Sequence, residues 1–168
     1  GISQYGLAKQ ISVSNQEAAD FLKSYFKKFP EIKDYMNTTI NFCRKSGYVN
    51  NLFGRKCYIT GINDKNYNVR NFQERAAINA PIQGSAADIM RLAMININKV
   101  FVKELNYKTK MLLQIHDELV FETPKDEIEK IVPVIKKNMS DVSSSEYHEF
   151  SIPLTVDVNY GNNWGEAH

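Results

Sequence analysis

The sequence predicts an α+β fold in which helices pack on a small antiparallel sheet. Three features predict it. Ser14-Asn15-Gln16-Glu17 has the spacing of a capping box and opens a stretch with apolar residues at helical intervals. Residues 111–115 and 119–122 are apolar runs rich in strand formers, each too short for a helix, and they flank a polar tip, His116-Asp117-Glu118. Residues 85–104 then repeat their apolar side chains with a helical period.

Each element follows from local chemistry. The first capped helix has Ala18, Phe21, Leu22, Tyr25 and Phe29 on one face. Pro30 suits the first turn of a second helix, whose missing N–H costs nothing there, and Gly47 suits its C-terminal cap. Residues 48–59 predict a short hairpin around Asn50–Arg55, and 61–71 an Asn-rich loop. Arg75 and Asn79, four apart, share one helix face, and Pro81 should break or kink that helix. A long helix is expected from Ser85 to Glu104 with Met90, Ala93, Ile97 and Phe101 inward. Residues 111–122 form a tight hairpin with His116-Asp117-Glu118 at its tip. Thr123-Pro124 opens a helix with Ile128, Ile131, Ile135 and Met139 inward, which Pro133 should kink or shorten. Ser143-Ser144-Ser145 reads as a loop, and residues 150–158 alternate like a strand. The aromatic and Met positions read as core. No internal repeat or low-complexity linker divides the chain.

Composition sets bounds. The 168 residues suffice for one domain with a modest core. With 21 basic and 19 acidic residues the net charge is only +2, so any nucleic-acid surface must come from local clustering. No apolar run reaches the roughly 20 residues that span a bilayer, so no membrane partner is expected. The first residues carry no secretory pattern. Cys43 and Cys57 form neither a CxxC nor a Cys/His cluster and are expected to be reduced, structural thiols.

Two segments carry chemistry. The hairpin tip holds adjacent acids on a rigid turn, an arrangement that suits Mg²⁺, which takes carboxylate oxygens and shares its other positions with water and substrate phosphates. The same residues also suit a merely solvated turn. In Glu74–Met90, Arg75, Asn79 and Gln83 stand beside the small tract Gly84–Ala87, which allows another backbone to approach. Guanidinium forks match phosphates, and amide donors reach minor-groove acceptors shared by all base pairs. A helix end with solvated polar residues would look the same.

Together the two segments resemble the family A DNA polymerases, the bacterial polymerase I type. Arg75…Asn79-Ala80-Pro81-Ile82-Gln83-Gly84-Ser85-Ala86-Ala87-Asp88 is similar to that family's fingers-to-palm primer-template segment, and Gln114-Ile115-His116-Asp117-Glu118-Leu119-Val120 to its second palm motif. The resemblance is collinear. Gly1-Ile2-Ser3 through Leu7 resembles the exit from the nucleotide-binding fingers helix, Gly47-Tyr48-Val49…Leu52-Phe53-Gly54-Arg55 a glycine-arginine hairpin, and Gly161–His168 the family's C-terminus.

The resemblance implies the lower fingers (residues 1–84) and part of the palm (residues 85–168) of a DNA-directed DNA polymerase. Its partners would be primer-template DNA and deoxynucleoside triphosphates, and its cofactor Mg²⁺, two ions in the complete enzyme. One ion would lower the pKa of the primer 3′-hydroxyl and the other steady the pyrophosphate. Asp117 would be the metal ligand supplied here and Glu118 a secondary or outer acid. His116 would touch the primer strand. Arg75, Asn79 and Gln83 would hold primer-template near the terminal base pair. Arg55 and Lys56 would meet template phosphates, or equally be two solvated basic residues at a turn. Ser3 would lie near the template. Lys56 stands where the family has a second arginine, which loses bidentate geometry, and Thr60 stands where it has proline. The family's other palm aspartate and most of the triphosphate-gripping helix are not in the sequence, so the chain by itself is expected to be inactive.

Two further classes stay open: a non-catalytic DNA-binding fragment, and a divalent-metal nuclease using the same carboxylate chemistry. A nuclease should show further clustered acids, and Asp88, Asp126 and Glu127 form no obvious motif with Asp117. Sixteen Lys against five Arg, with abundant Asn, suggest an AT-rich genome. That fits a bacterial cytoplasm and nucleoid or a phage, and equally a mitochondrion or plastid.

Overall fold

A computed structural model describes residues 2–104, 107–145 and 148–167, with the side chains of 102–104, 143–145, 148 and 149 left aside. Gly1 and His168, the ends of the collinear resemblance, lie outside the described residues. The architecture is α+β. The chain divides into two compact units, Gly1–Gly84 and Ser85–His168.

The first unit begins with α1 (Gln4–Ile11), α2 (Asn15–Lys28) and α3 (Pro30–Ser46). Ser14 and Glu17 close the expected capping box, each bonding the other's backbone N–H, and hold the Glu17 carboxyl below its ordinary range. Pro30 opens α3, and Gly47 ends it in the left-handed region at φ +79°. The predicted apolar face of α2 is only partly covered. Ala18 is fully buried, but Phe21, Tyr25 and Phe29 stay exposed. Strands β1 (Tyr48–Asn50) and β2 (Lys56–Tyr58) pair antiparallel as Tyr48↔Tyr58, Val49↔Cys57 and Asn50↔Lys56. Their inner residues join a core of Cys43, Val49, Ile59, Ile62 and Ala77, with Cys57, Ala76 and Ala80 against it.

Helix α4 departs most from expectation. It runs unbroken from Tyr67 to Asn98, so the end of the predicted loop is helical and Pro81 does not break it. Asn66 starts it: its side chain accepts from Asn68 N–H and its carbonyl from Arg70 N–H. A proline ring crowds the carbonyls of the preceding turn. The Ile78 carbonyl there accepts a 3.0 Å bond from Tyr35 Oη on α3, a tertiary partner in the turn that Pro81 disturbs.

In the second unit, α4 passes into a π-helical turn, Lys99–Glu104. The predicted inward residues Met90, Ala93, Ile97 and Phe101 are all buried. Strands β3 (Lys110–Ile115) and β4 (Glu118–Glu122) form the central hairpin, and α5 spans Ile128–Ser140. Ile97, Phe101, Ile131 and Ile135 make the core, joined by Met111, Leu119 and Phe121 from the hairpin. Pro133 sits in the sixth position of α5 without ending it. The predicted serine loop instead forms a 3₁₀ turn (Asp141–Ser143) and a short strand β5 (Ser144–Ser145) paired with β6 (His148–Glu149). Residues 154–158 alternate between half-buried and exposed, as predicted, but pair with no strand among the described residues. A last turn, α6 (Trp164–Ala167), is held by Glu166, which accepts from Asn162 N–H and both asparagine amides.

Candidate functional site

The β3–β4 hairpin is built to present its tip. Ile115 pairs with Glu118, which leaves a two-residue turn, His116-Asp117. Glu118 is thus the first residue of β4, half-buried, while His116 and Asp117 are exposed. His116 lies in the left-handed region at φ +51°. Tight hairpin turns need positive φ, which Asn or Gly supplies more cheaply. For a histidine the conformation costs about 1 kcal/mol. Gln114 Nε2 donates to the His116 carbonyl at 3.3 Å, across the turn.

The arms fix the tip to the core. The register slips between Met111 and Leu113, so Leu112 is an extra, bulged residue. The bulge leaves both Leu112 and Leu113 about half exposed (52% and 53%), while Met111, Leu119 and Phe121 pack inward. The base of β3 is pinned by Glu127, whose buried carboxylate accepts from Lys108 N–H, Thr109 N–H and Thr109 Oγ1 at 3.0, 3.0 and 2.7 Å. The Lys108 backbone bond, helped by those from Thr109, holds the Glu127 carboxyl below its ordinary range against the opposing effect of burial.

In the first unit, Arg75, Asn79 and Gln83 recur every four residues along α4, with Arg75 half-buried and the two amides exposed. The close approach expected at Gly84 is used within the protein. Asn51 Nδ2 donates to the Gly84 carbonyl at 3.1 Å, and the Asn51 Cβ and Cys57 Sγ lie 3.4 and 3.6 Å from where a Gly84 side chain would begin. Asn51 is buried, and its Oδ1 accepts from Phe53 and Arg55 N–H, which shapes the β1–β2 turn. It therefore sets the turn carrying Arg55 against the helix carrying Arg75. Sequence reasoning missed Asn51; its one local signal is an Asn three residues before Gly54 in a turn.

Arg55 and Lys56 are both exposed, and Lys56 Nζ stands 4.5 Å from the centroid of the Tyr48 ring. Ser3 is the N-cap of α1, its hydroxyl accepting from Gly6 N–H at 3.1 Å, so its side chain already has a structural role. Charge separates between the units. Residues 1–84 carry 12 Lys and Arg against 6 Asp and Glu, and residues 85–168 carry 9 against 13.

Among the described residues no three His, Cys, Asp or Glu gather as a metal site. Asp117 and Glu118 supply hard oxygen donors of the kind Mg²⁺ prefers, but too few for a complete shell. No helix among the described residues is long and apolar enough to cross a membrane.

Residues 1–166 match the model of DNA polymerase family A. The chain is 45% identical over 167 residues to a "DNA polymerase I" of Caldicellulosiruptor bescii, covering 99% of this chain and 19% of the relative. It is 47% identical over 169 residues to that of Rhizobium leguminosarum, covering all of this chain and 16% of the relative. The chain thus spans less than a fifth of the relatives it matches. Its fold also matches the POL domain of Pol1 from M. smegmatis, solved in complex with DNA primer-template and dNTP, at a TM-score of 0.91 and 38% identity, covering 99% of this chain and 28% of that one. On sequence and fold alike, the chain belongs to DNA polymerase family A.

Proposed function

We propose that the chain supplies the lower fingers (residues 1–84) and part of the palm (residues 85–168) of a DNA-directed DNA polymerase. The observation that carries this reading is the Asp117 carboxylate held out on a two-residue turn whose arms are anchored in a core. Asp117 would hold Mg²⁺, with Glu118 as a secondary acid. When bound, Mg²⁺ would lower the pKa of a primer 3′-hydroxyl and steady departing pyrophosphate. The chain's own residues do the positioning. His116 would touch the primer strand. Arg75, Asn79 and Gln83 would hold the primer-template duplex by phosphate and minor-groove contacts. Arg55 and Lys56 would meet template phosphates, and Ser3, which caps α1, would lie near the template. The excess of basic residues in 1–84 favours a backbone-gripping role for that unit.

The test is primer extension by the full-length protein with Mg²⁺ and the four deoxynucleoside triphosphates. Primers lengthened in template order support the proposal. Primers shortened would favour a nuclease, and binding with no change in length a non-catalytic DNA-binding protein. The isolated 168-residue chain should not extend primers, because its described acids form no complete metal site.

A further inference from the structure

Asn51 sits where two of the elements proposed to meet DNA come together. It is buried at 5% exposure, in the turn between β1 and β2, and its amide works in two directions. Oδ1 accepts from the backbone N–H groups of Phe53 and Arg55 at 3.0 and 2.9 Å. Nδ2 donates to the Gly84 carbonyl of α4 at 3.1 Å. The main chain of Asn51 closes the same turn: its N–H donates to the Arg55 carbonyl and its carbonyl accepts from Gly54 N–H, both at 3.0 Å. Gly54, at φ +77°, supplies the left-handed residue that this closure needs.

Burying an amide is unfavourable unless its donor and acceptor are bonded, so the side chain has little freedom to take another position. The Gly84 carbonyl comes one residue after Gln83, and Arg75 lies on the same helix. Asn51 therefore fixes the backbone of Arg55 in the frame of α4. That matters for an exposed arginine. On an unfixed turn both backbone and side chain must be ordered when the guanidinium binds, whereas on a fixed turn only the side chain is ordered. An asparagine that served the turn alone would need only the turn bonds. The bond to Gly84 adds something else, a fixed relation between the turn and the helix.

We propose that Asn51 is a positioning residue, holding Arg55 in register with the Arg75–Gln83 face of α4 so that turn and helix grip primer-template as one rigid surface. The inference rests on the DNA contacts proposed above for Arg55 and Arg75. It adds to them an uncharged residue on which the Arg55 contact depends.

The test is a set of primer-template titrations with the full-length protein across a range of salt, each variant being melted to show that it is folded at the titration temperature. Arg55→Ala should lower the slope of log affinity against log salt by about 0.9, the value for one phosphate contact. Asn51→Ala should lower it nearly as much, although it removes no charge. The double variant should bind within about twofold of Arg55→Ala alone. Asn51→Ser can still accept from the turn but is too short to span to Gly84, so it should behave like Asn51→Ala and replaces it if the alanine variant misfolds. Arg75→Ala should weaken binding by the same factor with or without Asn51, since α4 holds Arg75 by itself. A merely structural loss would leave every slope where it was. A wild-type slope in both Asn51 variants, or a double variant whose losses add, would overturn the proposal while leaving the Arg55 contact in place. An Arg55→Ala variant that binds like wild type would remove that contact, and the proposal with it.

Discussion

His116 and Asp117 show how a single residue can be held against its own preference. A left-handed His116 is less favourable than Asn or Gly would be, and the Gln114 bond and the packed arms keep it there. The strained backbone sits beside the carboxylate on which the proposed chemistry depends. Glu127 is a different case, a carboxylate whose role is to hold the base of β3. Its folded pKa lies below the ordinary value of 4.5, so its stabilising contribution is present above that value and is lost as pH falls through the folded pKa. Glu17 and Glu166 are shifted the same way and add to the same window. Thermal melts of the chain from pH 7 to pH 3 should therefore show Tm falling below about pH 4.5. Glu127→Gln should melt lower at pH 7, and the gap to wild type should narrow as the pH drops. A gap that is constant down to pH 3 would mean that Glu127 does not titrate against these bonds.

At the scale of elements, what was legible depended on how local its cause was. The Ser14–Glu17 box, Pro30, Gly47 and the 3.6-residue period of Met90, Ala93, Ile97 and Phe101 act within a turn or two, and each is found where it was expected. The continuity of α4 through Pro81 was not legible, because packing from elements distant in sequence, such as Tyr35, whose Oη reaches the Ile78 carbonyl 43 residues on, leaves no mark on the local pattern. Asn51 was missed for the same reason: its partner at Gly84 is 33 residues away. The β5–β6 pairing joins two-residue strands too short to give a periodic signal. Helix α4 also makes a definite prediction. If Arg75, Asn79 and Gln83 form one DNA-facing stripe, single Ala variants of the full-length protein should each weaken primer-template binding by about 1–3 kcal/mol per direct contact. Arg75→Ala alone should reduce the salt slope by about one, because it alone contributes a charge. A binding titration in which all three match wild type would reduce the stripe to solvated surface.

For the molecule as a whole, the candidate site was legible only in part. The hairpin acids stood out because polar residues interrupt apolar strands, whereas residues brought together from elements far apart in sequence leave no such local signal. The two units also differ in character, 1–84 basic and 85–168 acidic, and under the proposed function the first would grip DNA and the second hold metal. That division is tested most directly by Asp117→Asn in the full-length protein, measured twice on the same preparation. One measurement is single-turnover nucleotide addition, the other primer-template affinity at fixed salt. Asparagine keeps the shape of the turn and removes the charge, so the rate of addition should fall by roughly three orders of magnitude or more while affinity stays within about threefold. Addition within about tenfold of wild type, or a loss of affinity matching the loss of rate, would contradict the assignment of Asp117 as the carboxylate that holds the metal.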